Sequence, residues 1–276
     1  TWGGGDPLLH PKWYDIVAYA RDQGFSNQIV PNPMSITKSR AKKMVELDLD
    51  ASGMHIGSID QDIYNTAYNN PASLGKKIQG YRNLLEAGFP SDKVMGCITL
   101  TQEIVKTLEQ TVDWFLDEMG AAYIIFCIYR TTGFAGQMSP ELQQQKEPSL
   151  SEIKRCYEYL AQKIGDESIL RTGTSDASLS YCKTYFAVKH DGRVVPCSHF
   201  EDYPVGNIYD ESLVDIFYKN RSELLFDFDV EGFCGEECPN REICFGCRAN
   251  ALRYAGDKRA SDPKCWWNPA NQELML

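Results

Sequence analysis

The sequence predicts an α/β fold built on a parallel sheet, followed by a smaller cysteine-rich domain. Apolar stripes at helical spacing recur through residues 1–170, and short apolar runs of strand length separate them. Repeated strand and helix of this kind forms βαβ units, whose sheet is parallel and either open or curled into a barrel. Residues 171–276 then hold seven cysteines: Cys182, Cys197, Cys234, Cys238, Cys244, Cys247 and Cys265. The expected domain boundary therefore lies at 170/171.

The helical stripes are Trp13, Ile16, Val17 and Ala20, then Leu74, Ile78, Tyr81 and Leu85, then Ile104, Leu108, Val112 and Phe115, then Ile153, Cys156, Tyr157, Leu160 and Ile164. Between them, residues 54–59, 94–100 and 121–128 read as buried parallel strands, with a weaker run around Ile29 and Val30. Ligands of such sheets collect at the carboxyl ends of the strands, here residues 3–6, 32, 58–60, 99–101 and 127–130. Residues 137–148 are polar and turn-rich, and read as a connection or lid. In the second domain, 184–188 and 193–197 flank His190-Asp191-Gly192, and Asp-Gly between apolar runs predicts a hairpin that returns Cys197 toward Cys182.

At 276 residues and 43% hydrophobic content the chain can bury a substantial core. A formal charge of −10 argues against a general nucleic-acid surface. No apolar run approaches the roughly 18 residues that span a bilayer, and no secretory signal is present, so a cytoplasmic, membrane-independent protein is expected. Four cysteines fall within Cys234-Gly-Glu-Glu-Cys238-Pro-Asn-Arg-Glu-Ile-Cys244-Phe-Gly-Cys247. In a reducing compartment that density faces metal, either zinc or an iron–sulfur cluster. A zinc reading stays open, although seven thiols exceed one zinc site and fall one short of two all-cysteine sites.

The spacing of Cys182, Gly192, Cys197, the four-cysteine block and Cys265 resembles the SPASM domain of radical S-adenosylmethionine (SAM) enzymes. The family's block reads CxxC, five residues, C, three residues, C, whereas here three, five and two residues separate the cysteines. Upstream, Gly4-Gly5-Asp6-Pro7 resembles the radical SAM GGEP strand end, with Asp for Glu, and Gly57-Ser58-Ile59-Asp60 resembles its SIDG segment. The resemblance covers nearly the whole chain. It implies a partial (β/α)6 radical SAM barrel missing its first strand, plus a SPASM domain. The CxxxCxxC loop that holds the SAM-chelating cluster in this family is not among these residues, since Cys97, Cys127 and Cys156 lie far apart. The chain opens at Thr1 without an initiator methionine, and an upstream segment is expected.

By matched position, Gly4 and Gly5 would let backbone approach the SAM amine, Asp6 would stay ionised beside it, and Asn32 and Ser58 would bond the SAM carboxylate or ribose. Each has a plainer reading as a turn former. The resemblance implies two auxiliary [4Fe–4S] clusters, one held by Cys182, Cys197 and Cys247, the other by Cys234, Cys238, Cys244 and Cys265. The first then needs a fourth ligand, for which Asp176, solvent or a substrate atom are the options. The intact protein would add SAM and a third [4Fe–4S] cluster.

Cys97 and Cys156 read as core residues, and Cys127, near a strand's carboxyl end, reads as packing before substrate contact. Arg130 either pairs with a substrate carboxylate or covers a helix end. His10, His55, His190 and His199 show no ligand spacing. The activity implied is hydrogen abstraction by a 5′-deoxyadenosyl radical in peptide or protein maturation, with flavodoxin or ferredoxin as reductant. The alternatives are tetrapyrrole or other small-molecule modification, and a non-catalytic iron–sulfur electron carrier.

Overall fold

The computed structural model describes residues 1–276 apart from 69, 71, 134, 175–178 and 272–276. Asp176, the candidate fourth ligand, therefore lies outside the described residues. The chain divides into two compact units, Thr1–Tyr129 and Arg130–Leu276. The division falls well before residue 170, because helix α7 belongs with the cysteine-rich unit.

The first unit alternates strand and helix. In order it runs α1 (Trp13–Asp22), β1 (Gln28–Ile29), α2 (Lys38–Glu46), β2 (Ala51–His55), α3 (Gln61–Ala67), α4 (Ser73–Glu86), β3 (Val94–Leu100), α5 (Leu108–Asp113) and β4 (Tyr123–Ile128). The strands lie in the order β1-β2-β3-β4 and all pair in parallel. Trp2 joins the far side of β1 by a parallel bridge to Ile29. β3 and β4 match the apolar runs that predict them. β2 begins three residues before the expected Met54, since a strand covered on both faces can carry Ser52 and Gly53: the Ser52 hydroxyl donates to the Ile29 carbonyl at 3.2 Å. It also ends earlier, at His55, and Ile56, Gly57 and Ser58 form the turn into α3, which Asp60 caps.

Helix α4 is rotated from its expected stripe. Leu74, Lys77, Tyr81 and Leu84 are buried, while Ile78 and Leu85 are half-buried. Lys77 takes the inner position because its stem packs as an apolar side chain and its ammonium lies over the rings of Tyr64 and Tyr68, 5.7 and 5.2 Å from their centroids. The stripe Ile104, Leu108, Val112 and Phe115 is fully buried, although the backbone beneath it passes from a 3₁₀ turn through α5 into a π-helical turn, Trp114–Glu118.

The second unit opens with α6 (Pro140–Lys146), inside the stretch expected as a loop. Ser139 caps it and Pro140 occupies its first position, a start signal that survives where an apolar stripe is missing. Helix α7 (Leu150–Ile164) has a complete capping box between Ser149 and Glu152, and buries Ile153, Cys156, Tyr157 and Leu160. After α8 (Leu179–Cys182), the expected hairpin forms from β5 (Ala187–Val188) and β6 (Arg193–Val195), with β7 (Gly206–Asn207) paired to β6. Further short helices follow as α9 (Leu213–Lys219), α10 (Arg221–Leu224), α11 (Phe233–Glu236) and α12 (Arg248–Asn250). Among the described residues no helix is long and apolar enough to cross a membrane.

Candidate metal centre

Seven of the second unit's eight cysteines fall into two sets, the eighth being Cys156 in the core face of α7. Cys234, Cys238, Cys244 and Cys265 line one cleft together with Phe233 and Trp267. Short turns bring them there: Cys234 lies on α11, Cys238 follows it with its N–H donated to the Phe233 carbonyl at 2.8 Å, and Cys244 closes a turn on Asn240. Cys265 arrives from 18 residues beyond Cys247 in the chain. Cys182, Cys197 and Cys247 instead pack against a separate apolar cluster of Val195, Phe200, Phe226, Phe245 and Ala249. The β5–β6 hairpin, α8 and the start of α12 deliver them.

Burial favours the neutral thiol at three of the cleft's cysteines, Cys234, Cys244 and Cys265. It pushes Cys244 up to about 11 and Cys265 up to about 12, and raises Cys234 as well. A bound metal supplies the positive charge that makes such thiols thiolates. The sulfurs are already addressed by backbone donors, Gly246 N–H to Cys244 Sγ at 3.3 Å and Asp262 N–H to Cys234 Sγ at 3.4 Å. Such bonds favour the anionic sulfur and belong to the set that tunes iron–sulfur centres. Among the described residues no three of His, Cys, Asp or Glu gather closely enough for a single metal ion. Four thiols lining one cleft, two of them addressed by N–H donors, are a donor set that fits an iron–sulfur cluster.

A buried ionic frame holds these loops, and sequence reasoning missed it. Arg248 is 2% exposed and donates to the carbonyls of Phe245, Gly246, Lys258 and Ala260. Asp262 is fully buried: its carboxylate accepts from Cys247 N–H at 2.8 Å, Lys264 N–H at 2.9 Å and the Asn250 amide at 3.3 Å. Burial pushes the Asp262 carboxyl up, against which those N–H groups and Arg248 favour its anion. Gly246 sits in the left-handed region at φ 73°, and a Cβ there would lie 2.8 Å from Asp262 Cβ and 3.0 Å from Cys234 Sγ, so only glycine lets the frame close. The one cue in the sequence is the placing of Arg248 beside Cys247 and of Asp262 just before Cys265.

Arg130 is 6% exposed, and its guanidinium donates to Cys247 Sγ at 3.4 Å and to Asn250 Oδ1 at 2.8 Å, the N-cap and the last residue of α12, so it covers a short helix as one of its two sequence readings has it.

In the first unit the predicted SAM-facing residues follow the carboxyl ends of adjoining parallel segments. Gly4 and Gly5 have φ of 80° and 155°, are exposed, and have no heavy atom within 4 Å of an added Cβ, so their requirement is backbone conformation beside open space. Asp6 and Asn32 each cap a 3₁₀ turn, accepting from Leu8 N–H and Met34 N–H at 3.2 Å. Ser58 differs: it is fully buried, accepts from Asp60 N–H at 3.1 Å and lies 3.3 Å from Thr107 Oγ1. Nearby, His55 Nε2 lies 2.9 Å from Thr99 Oγ1, and burial with the Lys77 charge lowers its pKa to about 4, which keeps the imidazole neutral. Lys77 donates to the His55 carbonyl at 3.1 Å, and burial lowers its own pKa to about 8. Cys97 and Cys156 are buried; Cys127 is half-buried.

Residues 1–115 match the family model of the radical SAM superfamily, and residues 181–248 match that of SPASM, an iron–sulfur cluster-binding domain. Residues 1–115 thus carry a radical SAM domain and residues 181–248 a SPASM domain. It is 24% identical over 292 aligned positions to the AdoMet-dependent heme synthase of Nitratidesulfovibrio vulgaris, covering 96% of this chain and 78% of that protein. It is 26% identical over 293 positions to the PqqA peptide cyclase of Xanthomonas campestris pv. campestris, covering 98% and 74%. Among solved structures it is similar in fold to Streptococcus suis SuiB bound to the precursor peptide SuiA, with a TM-score of 0.67 at 15% identity, covering 95% of this chain and 64% of that one. A second SuiB structure, bound to S-adenosylmethionine, matches equally at a TM-score of 0.67 and 65% of its length. The chain thus spans just under two thirds of the solved protein. Iron–sulfur clusters and SAM are the cofactors that these two domains imply.

Proposed function

We propose that this chain is part of a radical SAM peptide maturase. Its second unit would hold two auxiliary [4Fe–4S] clusters, one on Cys234, Cys238, Cys244 and Cys265, the other on Cys182, Cys197 and Cys247 with a ligand from elsewhere. The observation that carries the reading is the sorting of seven cysteines into one four-thiol cleft and a separate three-thiol group, in a chain matched to both family models. When bound, the clusters supply one-electron chemistry. The protein's own part is to exclude water and address the sulfurs with N–H donors. In the first unit, Gly4, Gly5, Asp6 and Asn32 would meet SAM at the open carboxyl edge. Ser58 would contribute by holding the turn into α3, since its hydroxyl is already engaged.

A peptide substrate is favoured by likeness to a PqqA peptide cyclase and to SuiB bound to its precursor peptide. Tetrapyrrole modification is the second reading, favoured by likeness to AdoMet-dependent heme synthases over 96% of the chain. The reading keeps the protein in the cytoplasm, with flavodoxin or ferredoxin as reductant.

Residues 1–276 contain no CxxxCxxC, so the 276-residue chain should form no 5′-deoxyadenosine from SAM under dithionite. A form carrying the triplet ahead of the Gly4-Gly5-Asp6 strand should form it, and faster with a precursor peptide than with a porphyrin. Porphyrin-stimulated turnover would move the assignment to the second reading. Product from the 276-residue chain would remove the basis for the SAM contacts.

A further inference from the structure

Arg130 is the first residue of the second unit and is almost fully buried. Its Nη2 donates to Cys247 Sγ at 3.4 Å, and its Nε donates to Asn250 Oδ1 at 2.8 Å. Asn250 in turn donates from Nδ2 to Asp262 Oδ2 at 3.3 Å, and the same carboxylate oxygen accepts Cys247 N–H at 2.8 Å. Asp262 reaches the other cysteine set through its backbone, whose N–H points at Cys234 Sγ, 3.4 Å away. The network Arg130–Asn250–Asp262 therefore touches Cys247 at both its sulfur and its amide, while Cys234 Sγ receives a backbone N–H from Asp262 and lies in the field of Arg248.

We infer that Arg130 is a positioning residue that raises the reduction potential of the three-cysteine site. The inference rests on the cluster assignment proposed above. Adding one electron to a thiolate-bound cluster increases its negative charge, and a charge-assisted hydrogen bond to a ligating sulfur stabilises the more negative state. The guanidinium is permanently charged, and Asn250 and Asp262 fix its plane, so the donor is in place before the electron arrives. A cation at Cys247 also offsets part of the cost of placing a cluster's charge beside the buried Asp262 carboxylate.

The test is an EPR-monitored redox titration of anaerobically prepared protein, with dithionite as electron donor and iron and sulfide counted on each sample. The signal lost in Cys247→Ala identifies the three-cysteine site. Arg130→Gln should lower that site's midpoint by at least a tenfold change in the reduction equilibrium, about 59 mV for one electron, and leave the other site's midpoint in place. Arg130→Lys, which keeps the charge without the fork, and Asn250→Ser, which loosens it, should each shift the same midpoint downward by less. These milder variants carry the test should Arg130→Gln fail to fold. Full iron and sulfide with both midpoints unmoved in all three variants overturns the inference alone, as does an equal shift of both. Wild-type protein without two clusters overturns the cluster assignment instead.

Discussion

Cys247→Ala is expected to lower bound iron by about half, whereas Cys238→Ala keeps a labile second cluster. The asymmetry follows from ligand number. Cys238 shares its cleft with three other thiols, so its removal leaves Cys234, Cys244 and Cys265 in place. Cys247 belongs to a set of three, and its removal leaves two thiols, too few to retain a cluster that also depends on a non-cysteine ligand. The local frames reinforce the difference. Cys247 opens α12 and its amide is anchored on Asp262, so its sulfur is held in place. Cys238 lies at the end of a single short turn from α11. Iron analysis with Mössbauer spectra on the two variants decides the matter; loss of a whole cluster in Cys238→Ala with none lost in Cys247→Ala overturns the partition.

The second large effect is on stability. Arg248→Met should destabilise the second unit by about 3–5 kcal/mol, because it removes the cation facing the buried Asp262 and strands the four carbonyls that Arg248 satisfies. For a unit of this size that corresponds to a fall of roughly 10 °C in the unfolding midpoint of the cluster-loaded protein. The exposed Arg82 on α4 is the control, and Arg82→Met should stay within about 0.5 kcal/mol of wild type. Equal midpoints for the two variants would show that Arg248 is dispensable to the frame.

The parts legible in the sequence are those governed by periodicity and turn chemistry. β3 and β4 stand where apolar runs place them, α7 follows its stripe from Ile153 through Leu160 and leaves only Ile164 exposed, and Asp191-Gly192 turns the hairpin with Gly192 at φ 84°. The grouping of Cys265 with residues some 20 to 30 positions earlier came from resemblance, since spacing alone cannot say which loop returns to which. What was not legible depends on side chains acting against their usual character. Lys77 packs inward on aromatic rings, so the α4 stripe turns by one position. Helix α6 has no apolar face and declares itself only through Ser139 and Pro140. Arg130, Arg248 and Asp262 are buried charges whose places are set by hydrogen bonds to loop backbone and to Asn250. Periodicity treats such residues as surface.

The central claim is that seven cysteines hold two iron–sulfur clusters, and metal and sulfide analysis of the anaerobically purified chain tests it most directly. The account predicts about eight iron and eight acid-labile sulfide per chain, as two [4Fe–4S] clusters require. Stoichiometric zinc without sulfide would contradict it.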